Sequence, residues 1–97
     1  MVEHIVIFKM KPGTTPEQEQ QLIEKLKALK DRIPSIVDLS AGRTFTPERG
    51  QGFTVGLVVR FRDRAGLEEY QPHPEHVKVK EYIAQICESV LAIDYEF

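Results

Sequence analysis

The segment Tyr70-Gln71-Pro72-His73-Pro74-Glu75-His76 puts a phenol, two imidazoles and a carboxylate at the entrance to an apolar helical pattern. An imidazole titrates near neutral pH and can serve as a general base, and a tyrosine hydroxyl can steady an oxyanion as it develops. With a carboxylate such as Asp94, later in the chain, to orient the ring, such a set suits removal of a proton next to a carbonyl. The two prolines break one helix and start another, so the same residues can form the wall of a small pocket.

Residues 2–10 read as a strand with two apolar faces. Val2, His4, Val6, Phe8 and Met10 lie on one, Ile5 and Ile7 on the other, so the strand is central. Pro12-Gly13 ends it, and Thr15-Pro16-Glu17-Gln18 supplies an N-cap, a first-turn proline and a capping-box partner. The helix that follows carries the stripe Leu22, Ile23, Leu26, Leu29 and Ile33, and stops at Pro34. A second strand is expected from Ile36 to Phe45, with Gly42 marking a bulge or an edge, and a third from Phe53 to Arg62 with the clearest alternation in the chain. Asp63 caps a short helix. A longer one begins near Glu75 with the stripe His76, Val79, Ile83 and Ile86, and a last strand runs from Val90 to Phe97.

The order is β-α-β-β-α-β, an α+β, ferredoxin-like plan with a four-stranded antiparallel sheet. It places the first strand beside the last, so His4 and Asp94 should be close, and delivers Tyr70 and His76 to the same end. Two readings of these four residues stay open. In one, His76 is a general base, Tyr70 and His4 polarise the substrate and Asp94 orients. In the other, His76 anchors the helix start, Asp94 pairs with it or with His4, and Tyr70 packs with its hydroxyl satisfied. His73 reads as a solvent-facing turn residue, since no third ligand stands at useful spacing for a metal.

Helices on one side of the sheet leave Ile5, Ile7, Val58, Leu91, Ile93, Tyr95 and Phe97 bare on the other. This patch is larger than a soluble monomer usually exposes, so two sheets should pack face to face in a homodimer. Residues 1–97 suit a single domain, small enough that assembly would help its core. With a net charge of −2 and its basic residues scattered among acidic ones, the chain has no phosphate-tracking stripe, which sets nucleic acid aside. Residues 2–8 are too short for a spanning helix, and no membrane partner is expected; the expectation is a cytoplasmic protein. The single cysteine, Cys87, reads as a core thiol without a catalytic role.

The chain resembles the stress-responsive α/β-barrel domain (Dabb) family of dimeric α/β-barrel proteins. The resemblance rests on Val-x-His-Ile-Val-Ile-Phe-Lys around His4, Ile33-Pro34, the glycine of strand two and Gly52-Phe53-Thr54. It rests also on Tyr70-x-x-His73-Pro74-x-His76-Val77 and on Ile93-Asp94-Tyr95. It implies a homodimer with a barrel-like core and a varied set of roles: stress tolerance in some plant members, and in one a polyketide cyclase that works by aldol chemistry without a cofactor. In that cyclase the catalytic histidine falls on His76, its tyrosine partner on Tyr70 and the first-strand histidine on His4. A further pocket histidine becomes Val55, an aromatic becomes Val79 and a glycine becomes Lys80. The resemblance thus implies a stress-response domain of undefined biochemical role. Its alternative is a cofactor-free lyase, cyclase or isomerase acting through His76 on a small apolar or polyketide-like carbonyl ligand. A magnesium ion held by some plant relatives would fall near residues 32–36, where mostly backbone carbonyls are on offer; no metal or cofactor is assigned.

Overall fold

The computed structural model describes residues 1–97. The elements are β1 (Val2–Met10), α1 (Pro16–Arg32), β2 (Ile36–Arg43), a 3-10 turn (Pro47–Arg49), β3 (Phe53–Phe61), α2 (Arg64–Tyr70), α3 (Pro74–Ile86) and β4 (Cys87–Glu96). All sheet pairings are antiparallel, in the order β2-β3-β1-β4. This is the ferredoxin-like α+β fold.

α1 starts where the chain provides both halves of a capping box: the Gln18 N–H donates to the Thr15 hydroxyl at 3.1 Å, and the Thr15 N–H to the Gln18 side chain at 2.9 Å. Leu22, Ile23, Leu26 and Leu29 point into the core together with Ile33, the residue at which the helix stops before Pro34. On the sheet they meet Val2, Val6, Phe8, Val55, Leu57, Val59 and Phe61, alternate residues of the two central strands. α3 joins the same core through Val79 and Ile86 and is tied to α1 by the Tyr82 hydroxyl, which donates to Gln21 at 2.9 Å.

Several boundaries differ from those the sequence suggests. β2 ends at Arg43 rather than Phe45, and Phe45 stands 94% exposed beyond it. β2 is the edge strand, as its glycine suggested. Gly42 itself pairs regularly with Gly56, and the register slips instead between Ile36 and Asp38. β4 begins at Cys87 rather than Val90: α3 stops at Ile86 because Cys87 turns to extended backbone and its N–H closes the last turn on the Ile83 carbonyl. Cys87 is buried, and desolvation pushes its thiol up to about 11, as an inert core cysteine requires.

The face of the sheet away from the helices is bare. Ile93 and Phe97 are 62% and 61% exposed, with Ile7, Leu91 and Tyr95 beside them. An open concavity of about 760 Å³ lies on this face over the facing glycines 42 and 56. It belongs to the uncovered sheet and is remote from the histidines. One polar pair crosses the face: Arg60 donates twice to Glu3, at 3.0 and 3.1 Å, and lies 5.0 Å over the Phe97 ring.

Because Leu29 is fully buried where α1 crosses the sheet, Leu29→Ala is expected to lower unfolding free energy by about 2–5 kcal/mol. Urea denaturation followed by circular dichroism measures this, and an effect under ~1 kcal/mol would mean that the helix does not seal the core.

Candidate functional site

Position 4 of β1 lies between Val59 of β3 and Asp94 of β4. Its side chain falls on the helix-covered face, making His4 one of only two buried polar residues; the other is His76. His4 is satisfied across the strands by Asp94: the Nδ1–H donates to the carboxylate, whose own side chain remains partly in solvent. Since a carboxylate only accepts, Nδ1 carries a proton whichever state the ring is in.

Asp63 caps α2 by accepting from the Gly66 N–H at 3.0 Å. Any residue with an N–H could serve that cap; glycine at this position serves close packing. A Cβ at this position would come within 3.2 Å of the Phe61 side chain, so the glycine lets α2 lie close on β3. Tyr70 is 0% exposed. Its ring stacks on His76 at 4.0 Å and 28°, meets His4 edge-on at 5.8 Å and tilts against Phe61 at 5.3 Å.

Pro72 interrupts the chain after α2, so the Gln71 carbonyl has no partner further along a continuous helix. Two side chains of α3 take it instead. His76 donates from Nδ1 at 3.1 Å and Lys80 from Nζ at 3.4 Å. This fixes the His76 tautomer with Nε2 as the bare nitrogen. Desolvation holds the ring below its ordinary value near 6.5, the carbonyl contact opposes this, and the charge of Lys80 adds to the lowering, so His76 is neutral at pH 7.

The four expected residues do converge, and the expected closeness of His4 and Asp94 is met: of the two partners open to Asp94 the register gives it His4, while His76 reaches a backbone carbonyl of its own. Two other readings change. His73 is no free turn residue: it is the N-cap of α3, half-buried, with Nδ1 accepting from the Glu75 N–H at 3.1 Å. The Tyr70 hydroxyl is buried without any hydrogen-bond partner, against the expectation of a satisfied core tyrosine. Burial raises this phenol far above its usual range, which keeps it a donor.

A hollow of about 220 Å³ opens beside this cluster, lined by His4, Tyr70, Gln71, His76 and Lys80 at its polar end and by apolar residues including Phe8, Leu26 and Ile83. Val55 is not among its walls. Sequence reasoning missed Gln71, whose function lies in its main chain; the signal that could have found it is the helix-ending Gln71-Pro72, which leaves a carbonyl to be claimed. No three carboxylate, imidazole or thiol side chains are arranged so that they could hold a metal ion together, and Ser35 is the one side-chain oxygen acceptor between Arg32 and Ile36. The side chains therefore do not make a magnesium cage, and no step below uses a metal. No helix is long and apolar enough to cross a membrane.

Fold and cluster together define a ferredoxin-like domain with a histidine–tyrosine hollow between sheet and helices. The chain belongs to the stress responsive A/B barrel domain (Dabb) family, whose model matches residues 2–97. Among curated relatives it is 30% identical over 96 residues to a stress-response A/B barrel domain-containing protein of Arabidopsis thaliana, covering 98% of this chain but only 36% of that protein. The chain thus spans about a third of that relative. It is 26% identical over 95 residues to olivetolic acid cyclase of Cannabis sativa, covering 97% of this chain and 94% of the cyclase.

Among solved structures, an Arabidopsis thaliana protein superposes with a TM-score of 0.89 at 28% identity, covering 100% of this chain and 95% of that one. A dimeric ferredoxin-like protein of unknown function from Bacteroides fragilis gives 0.82 at 30% identity, covering 99% and 95%. Hydroxynitrile lyase from Passiflora edulis gives 0.86 at 23% identity, covering 97% and 90%, a likeness that concerns the fold alone.

Two outcomes test this geometry. Tyr70→Phe removes a buried hydroxyl that has no partner, so it is expected to raise stability by about 1–3 kcal/mol; a loss of ~1 kcal/mol or more in thermal unfolding would reveal a hidden partner. His76 is held neutral in the fold, so the unfolded chain takes up the proton first as pH falls. The stabilisation present above pH 6.5 is then lost as pH drops from 6.5 towards the lower folded value. The wild type should accordingly lose more stability than His76→Gln between pH 7.5 and 5, and parallel curves would contradict the assignment.

Proposed function

We propose that the chain works as a cytoplasmic homodimer joined through the bare sheet face. Each protomer carries a cofactor-free acid–base site of the lyase, cyclase or isomerase kind, with His76 as base on a carbonyl compound. The observation that carries this reading is the buried, unpartnered Tyr70 hydroxyl next to an imidazole whose Nε2 is free. A core that needed no ligand would use phenylalanine here, since an unmade buried hydrogen bond costs about 1–3 kcal/mol.

In the proposed reaction the C–H bond beside a carbonyl breaks and the proton passes to His76 Nε2, while the electron pair moves onto the carbonyl oxygen. Tyr70 donates to that oxygen. His4 polarises it in the imidazolium form, when Nε2 also carries a proton, and the Asp94 carboxylate orients that ring and balances its charge. A single donor to a developing oxyanion is worth about 3–4 kcal/mol. The enolate then adds to a second carbonyl, expels a leaving group or takes a proton elsewhere, which separates cyclase, lyase and isomerase. The enzyme name of one sequence relative, olivetolic acid cyclase, supports this reading.

The dimer is supported by the exposed apolar face and by the dimeric Bacteroides fragilis structure. Face-to-face sheets about 10 Å apart would bury Ile93, Leu91 and Phe97 of both copies. A second reading, a stress-response domain whose histidines are structural, is favoured by the likeness to the Arabidopsis stress-response protein and by the modest size of the hollow.

One experiment decides between them: incubation with a panel of ketones, β-diketones and polyketide-like thioesters, read by mass spectrometry, alongside sedimentation to establish the assembly. The expected result is a dimer that consumes one carbonyl class, with His76→Gln folded yet slowed about 10²-fold or more. A wild type that turns over nothing, with His76→Gln altering only thermal stability, would leave the stress-response reading standing.

A further inference from the structure

Lys80 is the only lysine, arginine, aspartate or glutamate on the walls of the histidine–tyrosine hollow. It lies four residues after His76 on α3, so both side chains project from one face of that helix. No carboxylate answers it. Lys78 pairs with Glu75 and Lys30 with Asp38, but Lys80 forms no ion pair. Its helical neighbours at three and four residues' distance, His76, Val77, Ile83 and Ala84, carry no acid. Its one hydrogen bond, to the Gln71 carbonyl at 3.4 Å, is long and leaves most of the ammonium's donor capacity unused.

That same carbonyl holds His76, so the ammonium and the base are referenced to one fixed atom, with the Tyr70 ring stacked against the imidazole. An unpaired cation at one end of an otherwise apolar hollow, beside a free Nε2 and an unsatisfied hydroxyl, is complementary to a molecule with an anion and a carbonyl a few bonds apart. The hollow, about 220 Å³, lies below the roughly 300–1,000 Å³ of drug-sized sites, which restricts the molecule to a short chain.

We infer that the site takes a short oxo acid, with its carboxylate on the Lys80 ammonium and its carbonyl oxygen at the Tyr70 hydroxyl. The carbonyl half rests on the acid–base reading above, whereas the carboxylate half stands on Lys80 alone. In the elementary step a C–H bond next to the ketone breaks, its electron pair becomes the enolate and the proton bonds to His76 Nε2. In D2O the ring exchanges that proton with solvent and returns a deuteron to carbon, so that C–H and D2O become C–D and HOD with no other reactant.

The test uses the whole chain with 4-oxopentanoate and its neutral analogue pentan-2-one, with affinity and deuterium incorporation both followed by NMR. The acid is expected to bind at least about fivefold more tightly than the ketone at low salt, a preference that Lys80→Gln abolishes, Lys80→Arg keeps and high salt weakens. His76→Gln is expected to retain the acid's affinity and lose the exchange.

Equal affinity for acid and ketone, a preference that survives Lys80→Gln, or no binding of either probe overturns the inference. Lys80-dependent binding of the acid without exchange upholds the carboxylate site and counts against the acid–base function. Exchange of both probes alike, indifferent to Lys80, does the reverse.

Discussion

The fold and its site depend on β1 being hydrogen-bonded on both sides in a single register. A strand with neighbours on both edges and helices over one face must send alternate side chains into the core, and a slip of one residue would exchange every buried residue for an exposed one. Val2, Val6 and Phe8 fix that register hydrophobically. His4 is carried in with them. An imidazole in that position needs a partner, and the antiparallel alignment with β4 brings Asp94 opposite it. The apolar pattern of β1 therefore places the polar group that most restricts what the hollow can do.

The second constraint is the interruption between α2 and α3. Had the chain continued as one helix past Tyr70, the Gln71 carbonyl would have been used by the backbone and His76 would have had no fixed acceptor. Pro72 and Pro74 prevent this, and His73 rather than a serine or aspartate caps the new helix. The freed carbonyl collects His76 and Lys80 together. Gly66 packs closely on Phe61, and Tyr70 at the end of the same helix stands between the two histidines, so that three separate elements meet in the site.

The electrostatics of the hollow follow from burial. Desolvation keeps His76 neutral and Tyr70 protonated, the states that a base and a hydrogen-bond donor require. Lys80 reinforces the neutrality of His76 from a position at which it also faces the hollow. On the opposite side of the sheet the arrangement is simpler. Leu91, Ile93 and Phe97 are exposed together because β4 has helices on only one side, and Arg60 with Glu3 brings a charged pair into that surface.

The fold was legible because local patterns agreed with one another. The period of two in β1 and β3, the period near 3.6 in α1, and the Thr15 capping box each specify an element without reference to the rest of the chain. Topology then followed from the element order, and with it the meeting of His4, Asp94, Tyr70 and His76. The partners of those residues could not be read the same way. The strand order put Asp94 near His4, but only the register chose His4 over His76 as its partner; His76 bonds to a main-chain atom that carries no side-chain signature; and the Tyr70 hydroxyl is buried where no acceptor reaches it. Residue types and periodicities therefore determined which side chains enter the site. Only the tertiary structure decided which hydrogen bonds they make, because those depend on distances between separate elements that no local spacing encodes.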